Sequence, residues 1–256
     1  MKVSIEIVPK KEKFKEDLDK LKQLDIKFDY LNFPHLARTG FYYPEELASL
    51  ISNEKLNKPA ILHLRVQDSP NIRQALLRIN RVLSDYKQNL ELLLVTWDVK
   101  ESKKKIIYTH NVLKLKNNKK ISVCIDNYKP MYENLKKKLP YLRKYNKLFT
   151  QPIFNPERID ELEDFLNKNN FKIKPQNLFL GITWFTTEKS KNYWANINNV
   201  PLSDLPDKKF LENTLSKAIE IYRYAKQKGF SVYFMPIIQS LKHIEFIQNK
   251  GENLIS

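Results

Sequence analysis

The chain has 256 residues, 42% of them hydrophobic and 12% aromatic, enough to bury a large core and to exclude disorder as a whole. Against 29 Asp and Glu stand 45 Lys and Arg, a net charge of +16, and the single cysteine, Cys124, excludes an intrachain disulfide and a cysteine-built zinc site. No stretch reaches the roughly 18 apolar residues of a membrane span, and the apolar run after Met1 is too short for a signal peptide, so the expectation is a soluble cytoplasmic protein.

Along the chain, strands and helices alternate. Val3 to Val8 reads as a short strand ending at Pro9, and Phe14, Leu18, Leu21 and Leu24 follow at helical spacing. Phe28 to Phe33 is the next strand, Pro44 to Asn53 a helix, Ala60 to Leu64 a strand, and Pro70 to Gln88 a helix. Leu90 to Thr96 is almost continuously apolar, as in a strand buried on both faces of a parallel sheet, and Ile121 to Ile125 repeats that signal. Tyr132 to Lys144 is helical and Lys147 to Thr150 is a strand. Asn155-Pro156-Glu157 then opens a helix with an Asn cap, Pro in the first position and acid in the first turn. Leu178 to Ile182, a helix from Phe210 to Lys228 closed by Gly229, and Ser231 to Phe234 complete the alternation. Leu241, Ile244 and Ile247 mark a C-terminal helix, read either as the last helix of the fold or as an interface.

Strict alternation implies parallel strands with right-handed crossovers, hence a doubly wound sheet or a barrel. All four glycines stand alone, so no glycine-rich turn marks a dinucleotide site. With no linker in sight, residues 1–256 are expected to form a single (β/α)₈ TIM barrel domain. The positive charge is spread along nearly every amphipathic segment and no base-reading motif accompanies it. It therefore reads as a solvated cationic surface able to attract an anionic ligand, and nucleic acid is not expected as a partner.

A barrel puts its chemistry at the C-terminal ends of its strands, and those positions here are Glu6, Asn32, His63, Asp98, Asp126 and Gln151. Alone, a strand-end Asp or Asn commonly caps the next helix and a lone His is ordinarily structural. In a barrel, however, inner positions at the upper rim converge on one pocket, where such groups could meet a single substrate. The four His are scattered without ligand spacing, so no metal is expected.

Longer segments carry a resemblance. Ser4-Ile5-Glu6-Ile7-Val8-Pro9-Lys10, Leu62-His63-Leu64 with Asp68, the strand ending at Asp98, and Phe149-Thr150-Gln151-Pro152-Ile153-Phe154-Asn155-Pro156 occur in an order and spacing that resemble methylenetetrahydrofolate reductases over about residues 1 to 238. Gly181-Ile182, Asn199-Val200-Pro201 and the segment from Ala218 to Phe234 resemble that family's closing third. The resemblance implies a (β/α)₈ barrel holding FAD, which reduces 5,10-methylenetetrahydrofolate to 5-methyltetrahydrofolate with NADH or NADPH. It assigns Glu6 as the acid that protonates N10 and opens the ring to a 5-iminium cation. Asp98 would be the carboxylate that stabilises this cation, and Gln151 an amide binding the pterin. Phe185 or Trp184 would replace a stacking aromatic that falls near Glu188.

The departures fall on the flavin side. Asn32 stands where the family has a flavin-contacting Thr, Thr96-Trp97 replaces Arg-Gly, and the stretch after the fifth strand is shortened to Asp126-Asn127-Tyr128-Lys129-Pro130. Asn32, His63, Thr96, Trp97 and Asp126 remain the cofactor-side candidates, with Lys138 as a phosphate-facing lysine or one more surface lysine. Two readings stay open. One is a divergent reductase, with flavin held through changed contacts or bypassed by direct hydride transfer. The other is a flavin-free folate-binding or one-carbon-transfer barrel working with a partner subunit, and homo-oligomerisation is left open in both.

Overall fold

A computed structural model of the chain describes residues 1–36, 39–53, 58–85, 90–95, 111–112, 114, 119–125, 127–197, 200–236 and 241–252. In it the strands β1 (Val3–Glu6), β2 (Tyr30–Phe33), β3 (Ala60–Arg65), β4 (Leu90–Val95), β5 (Ile121–Ile125), β6 (Leu148–Pro152), β7 (Leu178–Ile182) and β8 (Ser231–Phe234) pair in chain order and in parallel. Val3, Ser4 and Ile5 pair with Val232, Tyr233 and Phe234, which joins β8 to β1 and closes the barrel.

Alternation along each strand sorts side chains into two layers. Ile5, Leu62, Leu64, Leu92, Leu94, Val123, Leu180 and Phe234 point outward and pack under the helices. Tyr30, Ile61, Leu93, Phe149, Phe179 and Tyr233 point inward, with Val95 and Cys124 against them. Both faces are buried, which is why the strands read as continuous apolar runs. Phe149 and Phe179 stack 4.5 Å apart, and Tyr233 and Tyr30 meet this pair edge-on. The barrel is therefore a filled core rather than a pore. Beneath this layer, at the N-terminal ends of the strands, Lys147 pairs with Glu91 and lies 4.3 Å from the centre of the Tyr30 ring, whose hydroxyl accepts from Lys2 Nζ at 3.2 Å.

The helices that cover the barrel are α1 (Phe14–Gln23), α2 (Pro44–Asn53), α3 (Ile72–Asp85), α4 (Tyr132–Leu142), α5 (Glu157–Lys168), α6 (Glu188–Ile197), α7 (Phe210–Lys228) and α8 (Lys242–Glu252). Their bounds follow local chemistry. The Asn155 side chain accepts from the Glu157 N–H at 3.1 Å at the start of α5, and Gly229 ends α7 with φ of 76°. The C-terminal helix α8 buries Ile244 and Ile247 and packs along α7, so this segment is the last helix of the barrel. Sequence periodicity gave no helix at Glu188–Ile197. Its aromatics, Tyr193 and Trp194, are neighbours rather than one turn apart, so no apolar stripe announces α6. No helix among the described residues is long and apolar enough to cross a membrane.

One irregularity shapes the rim. The β6/β7 register shifts between Phe149 and Pro152, where the Thr150 hydroxyl accepts from the Gly181 N–H and donates to the Gln151 carbonyl, both at 2.8 Å. The bulge brings β6 so close to β7 that a Cβ at Gly181 would lie 2.7 Å from Met235 Cε and 2.8 Å from the Gln151 carbonyl oxygen. Gly181→Ala is expected to lower stability by about 1–3 kcal/mol, the range for forcing an extra carbon into a packed core. Urea denaturation checks this, and an unchanged midpoint would show that the bulge yields freely.

Candidate active site at the C-terminal mouth of the barrel

Glu6 ends β1, and its register partner Asn32 sits on β2. Val3 and Ile5 face the helices, so Ser4 and Glu6 face the interior. There the Tyr233 hydroxyl donates to Glu6 Oε2 and lies 3.4 Å from His63 Nε2, which is 3.2 Å from Asn32 Oδ1. The Asn32 amide donates in turn to the Ser4 hydroxyl. Five side chains from β1, β2, β3 and β8 thus form one buried network. Three of the predicted site residues, Glu6, Asn32 and His63, are brought together in it.

Burial governs the electrostatics of this network. Glu6 is 3% exposed, its Oε1 has no partner, and desolvation raises its pKa from 4.5 to about 8. The bond from Tyr233 favours the ionised form but does not offset the loss of water. His63, also desolvated, is pushed down from 6.5 to about 3. At neutral pH the pair is therefore a carboxylic acid beside a neutral imidazole.

Gln151 lies on the far wall, on the β6 bulge. Its N–H donates to Asn127 Oδ1 at 2.9 Å and its side-chain amide donates to Cys124 Sγ at 3.3 Å. Gln151, Cys124 and Val95 are only partly buried, so this side of the mouth is open while the Glu6 side is sealed. Beyond β3, His35, Arg65, Asp68, Glu45 and Arg78 form a second polar cluster. Arg78 binds Glu45 through Nε at 2.7 Å, Arg65 reaches Asp68 at 3.3 Å, and the Arg65 N–H donates to His35 Nδ1 at 3.4 Å. Burial, reinforced by the two arginines, lowers His35 from 6.5 to about 4. This cluster ties α2 and α3 to the loop after β3.

Asp98, Thr96, Trp97 and Asp126 lie outside the described residues. Phe185 is sealed in a satellite cluster with Tyr128, Phe154 and Trp194, and its N–H donates to the Thr214 hydroxyl at 3.2 Å. Trp184 packs in the layer under the helices, edge-on to His243. Lys138 sits on the buried face of α4 with Leu135, Leu139 and Leu142. Tyr233 and Ser4 are the members that sequence reasoning missed; Tyr233 is the one bonded to the acid. It carried a faint signal, a hydroxyl-bearing residue at the same parity as Ser231 in an otherwise apolar strand.

The setting of Asn32 does not fit a flavin contact. Asn32 gives its amide N–H to Ser4 and its carbonyl to His63, and has no exposed surface, so neither polar end is left for an isoalloxazine edge.

No protein-family model matches the chain, and no curated protein matches it significantly. Solved structures do. An uncharacterized protein from Clostridium thermocellum that binds two copies of 5-methyl-5,6,7,8-tetrahydrofolic acid superposes with a TM-score of 0.65 at 16% identity, over 99% of this chain and 94% of that one. The chain shares its barrel with that protein. It shares it also with a coenzyme F420 dependent tetrahydromethanopterin reductase from Methanopyrus kandleri, at a TM-score of 0.55 and 8% identity over 97% of each chain. A monooxygenase from Streptomyces bottropensis gives 0.52 and 10% over 99% of this chain and 98% of that one. At these identities the likeness is one of fold.

The network makes stability depend on pH in two opposed ways. Between 4.5 and about 8 the folded chain keeps a proton on Glu6 that the unfolded chain releases, so raising the pH through that window withdraws stability, by roughly 1.4 kcal/mol per unit. His63 and His35 act the other way. From 6.5 down to about 3 and about 4 the unfolded chain takes up protons that the folded chain refuses, so stability is lost as the pH falls. Above 6.5 only Glu6 remains of the three. The wild type is expected to lose roughly 2 kcal/mol between pH 6.5 and 8 and Glu6→Gln to stay level, as read from urea midpoints. Equal slopes in the two proteins would mean that Glu6 is ionised in the fold.

Proposed function

We propose that the chain binds a reduced folate at the C-terminal mouth of its barrel and that Glu6 is the acid of a methylenetetrahydrofolate reductase-like reaction. The observation that carries this reading is the buried, uncharged carboxyl of Glu6, bonded to Tyr233 beside a neutral His63. The sequence resemblance and the folate-class ligands of two proteins sharing the fold support it.

In this reading Glu6 gives its proton to N10 of 5,10-methylenetetrahydrofolate. The bond from N10 to the one-carbon unit breaks, its electron pair stays on nitrogen, and a 5-iminium cation forms. NADH or NADPH then supplies the hydride that completes 5-methyltetrahydrofolate, and solvent returns the proton to Glu6. Gln151, on the open wall, offers an amide to the mixed donor and acceptor edge of the pterin. Asp98 belongs to the proposal as the carboxylate that steadies the cation. FAD would supply hydride relay where bound, but no step here is assigned to it, because Asn32 and His63 are spent on the acid's own network.

That internal use of Asn32 and His63 also favours a second reading, a flavin-free folate-binding or one-carbon-transfer barrel in which a partner subunit carries any redox step. One experiment separates the two. 5-Methyltetrahydrofolate and 5,10-methylenetetrahydrofolate are titrated into wild type and Glu6→Gln, and NADH and NADPH oxidation is followed with and without added FAD. The reductase reading expects both proteins to bind folate and Glu6→Gln to turn over at least about 100-fold more slowly, the usual contribution of a general acid. Folate binding without hydride transfer by the wild type supports the second reading. Absence of folate binding overturns both.

A further inference from the structure

We infer that Tyr233, braced by His63, is a positioning residue that sets the acid strength of Glu6 by stabilising the carboxylate left behind when the proton is given away. The inference rests on the reading of Glu6 as an acid.

The donor inventory of the side chains constrains the directions of the bonds in the network. Asn32 donates through Nδ2 to Ser4, so the atom it turns to His63 is its carbonyl oxygen, which can only accept. His63 Nε2 therefore carries the hydrogen. That single hydrogen lies between Asn32 Oδ1 at 3.2 Å and the Tyr233 hydroxyl at 3.4 Å, so the hydroxyl takes only the longer branch of a shared bond. Tyr233 has one proton, and it goes to Glu6 Oε2. Donors from β3 and β8 thus point in series toward one carboxyl group on β1. Such a chain favours the ionised form of its last member, and polarisation along it strengthens each bond.

Among the described residues no stronger device competes with it. From β2 the group facing Glu6 is the neutral Asn32, from β3 the neutral His63, and from β8 Tyr233 itself. Burial is the cause of the raised Glu6 pKa, and the charged form of His63 is opposed by burial and by His35. A carboxyl this desolvated is a reluctant acid. It releases its proton to a ligand nitrogen only as fast as its conjugate base can be borne, and Tyr233 supplies the bond that bears it. The step balances without a further reactant: the Glu6 O–H bond breaks, the ligand N–H bond forms, and the Tyr233 proton stays on Tyr233. Tyr233 is well held for this role, since Phe149 meets its ring edge-on at 5.4 Å and His63 at 6.1 Å.

The test reads the carboxyl directly. Infrared difference titration of wild type against Glu6→Gln isolates the Glu6 carbonyl band, whose midpoint is expected near 8. In Tyr233→Phe the midpoint is expected to rise by about one to two pH units, a ten- to hundredfold weaker acid, as for loss of one hydrogen bond to a charged group. His63→Leu, which leaves Tyr233 in place, is expected to give a smaller rise, and His63→Gln, which keeps a donor, to restore the wild-type value. His63→Leu carries the test should Tyr233→Phe not fold. Midpoints that stay at the wild-type value in the folded variants overturn the inference. In turnover of 5,10-methylenetetrahydrofolate with NADPH, Tyr233→Phe is expected to lower kcat and move the alkaline limb of the pH profile upward, with KM unchanged. Moving midpoints with no folate turnover by the wild type would sink the functional reading and leave the inference standing. Turnover with immobile midpoints would do the reverse.

Discussion

A carboxyl group shut inside a barrel with one hydroxyl for a partner is the constraint around which the upper half of this protein is arranged. Glu6 and Tyr233 stand on the two strands whose pairing closes the cylinder, so the contact that holds the acid spans the seam of the fold. The aromatic layer of Phe149, Phe179 and Tyr30 beneath it keeps water out from below. That layer is what makes the carboxyl hard to ionise, and it is equally what makes each bond in the network strong, since both effects follow from the low local polarisability. A fold that only needed stability would put a leucine at position 6.

The charge of the chain is borne differently inside and out. The surface carries many lysines, partly matched by exposed pairs such as Lys20 with Glu16 and Lys217 with Glu220, which contribute little to stability. Inside, the titratable groups of the network are neutral at ordinary pH. A net charge of +16 on the chain therefore surrounds a buried network whose own groups are uncharged.

Much of this was legible in the residues. Runs such as Leu90–Val95 and Ile121–Ile125 declare strands covered on both faces, and the polar residues near the C-terminal ends of β1, β2 and β3 mark where the buried polar network gathers. Tyr233 was not legible, for a physical reason. When both faces of a strand are buried, alternation does not say which parity points inward, and a tyrosine in Ser231–Phe234 looks like core. Gln151 shows a second limit. Its residue type was readable, but its aim depends on a bulge permitted by Gly181, a whole β/α unit away in the chain. Phe185 shows a third: an aromatic side chain suits a ligand wall and a sealed cluster equally well, and Tyr128, Phe154 and Trp194 decide for the cluster.

The base of the barrel deserves to be set against its rim. There Lys147, Glu91 and Tyr30 lash together β6, β4 and β2, strands that are not neighbours, and Lys2 ties the lead-in of β1 to the same ring. A cylinder tied at its foot does not rely on its upper loops for closure. Those loops are free to be lengthened, shortened or replaced, which makes this architecture a chassis on which new specificities can be mounted one rim segment at a time.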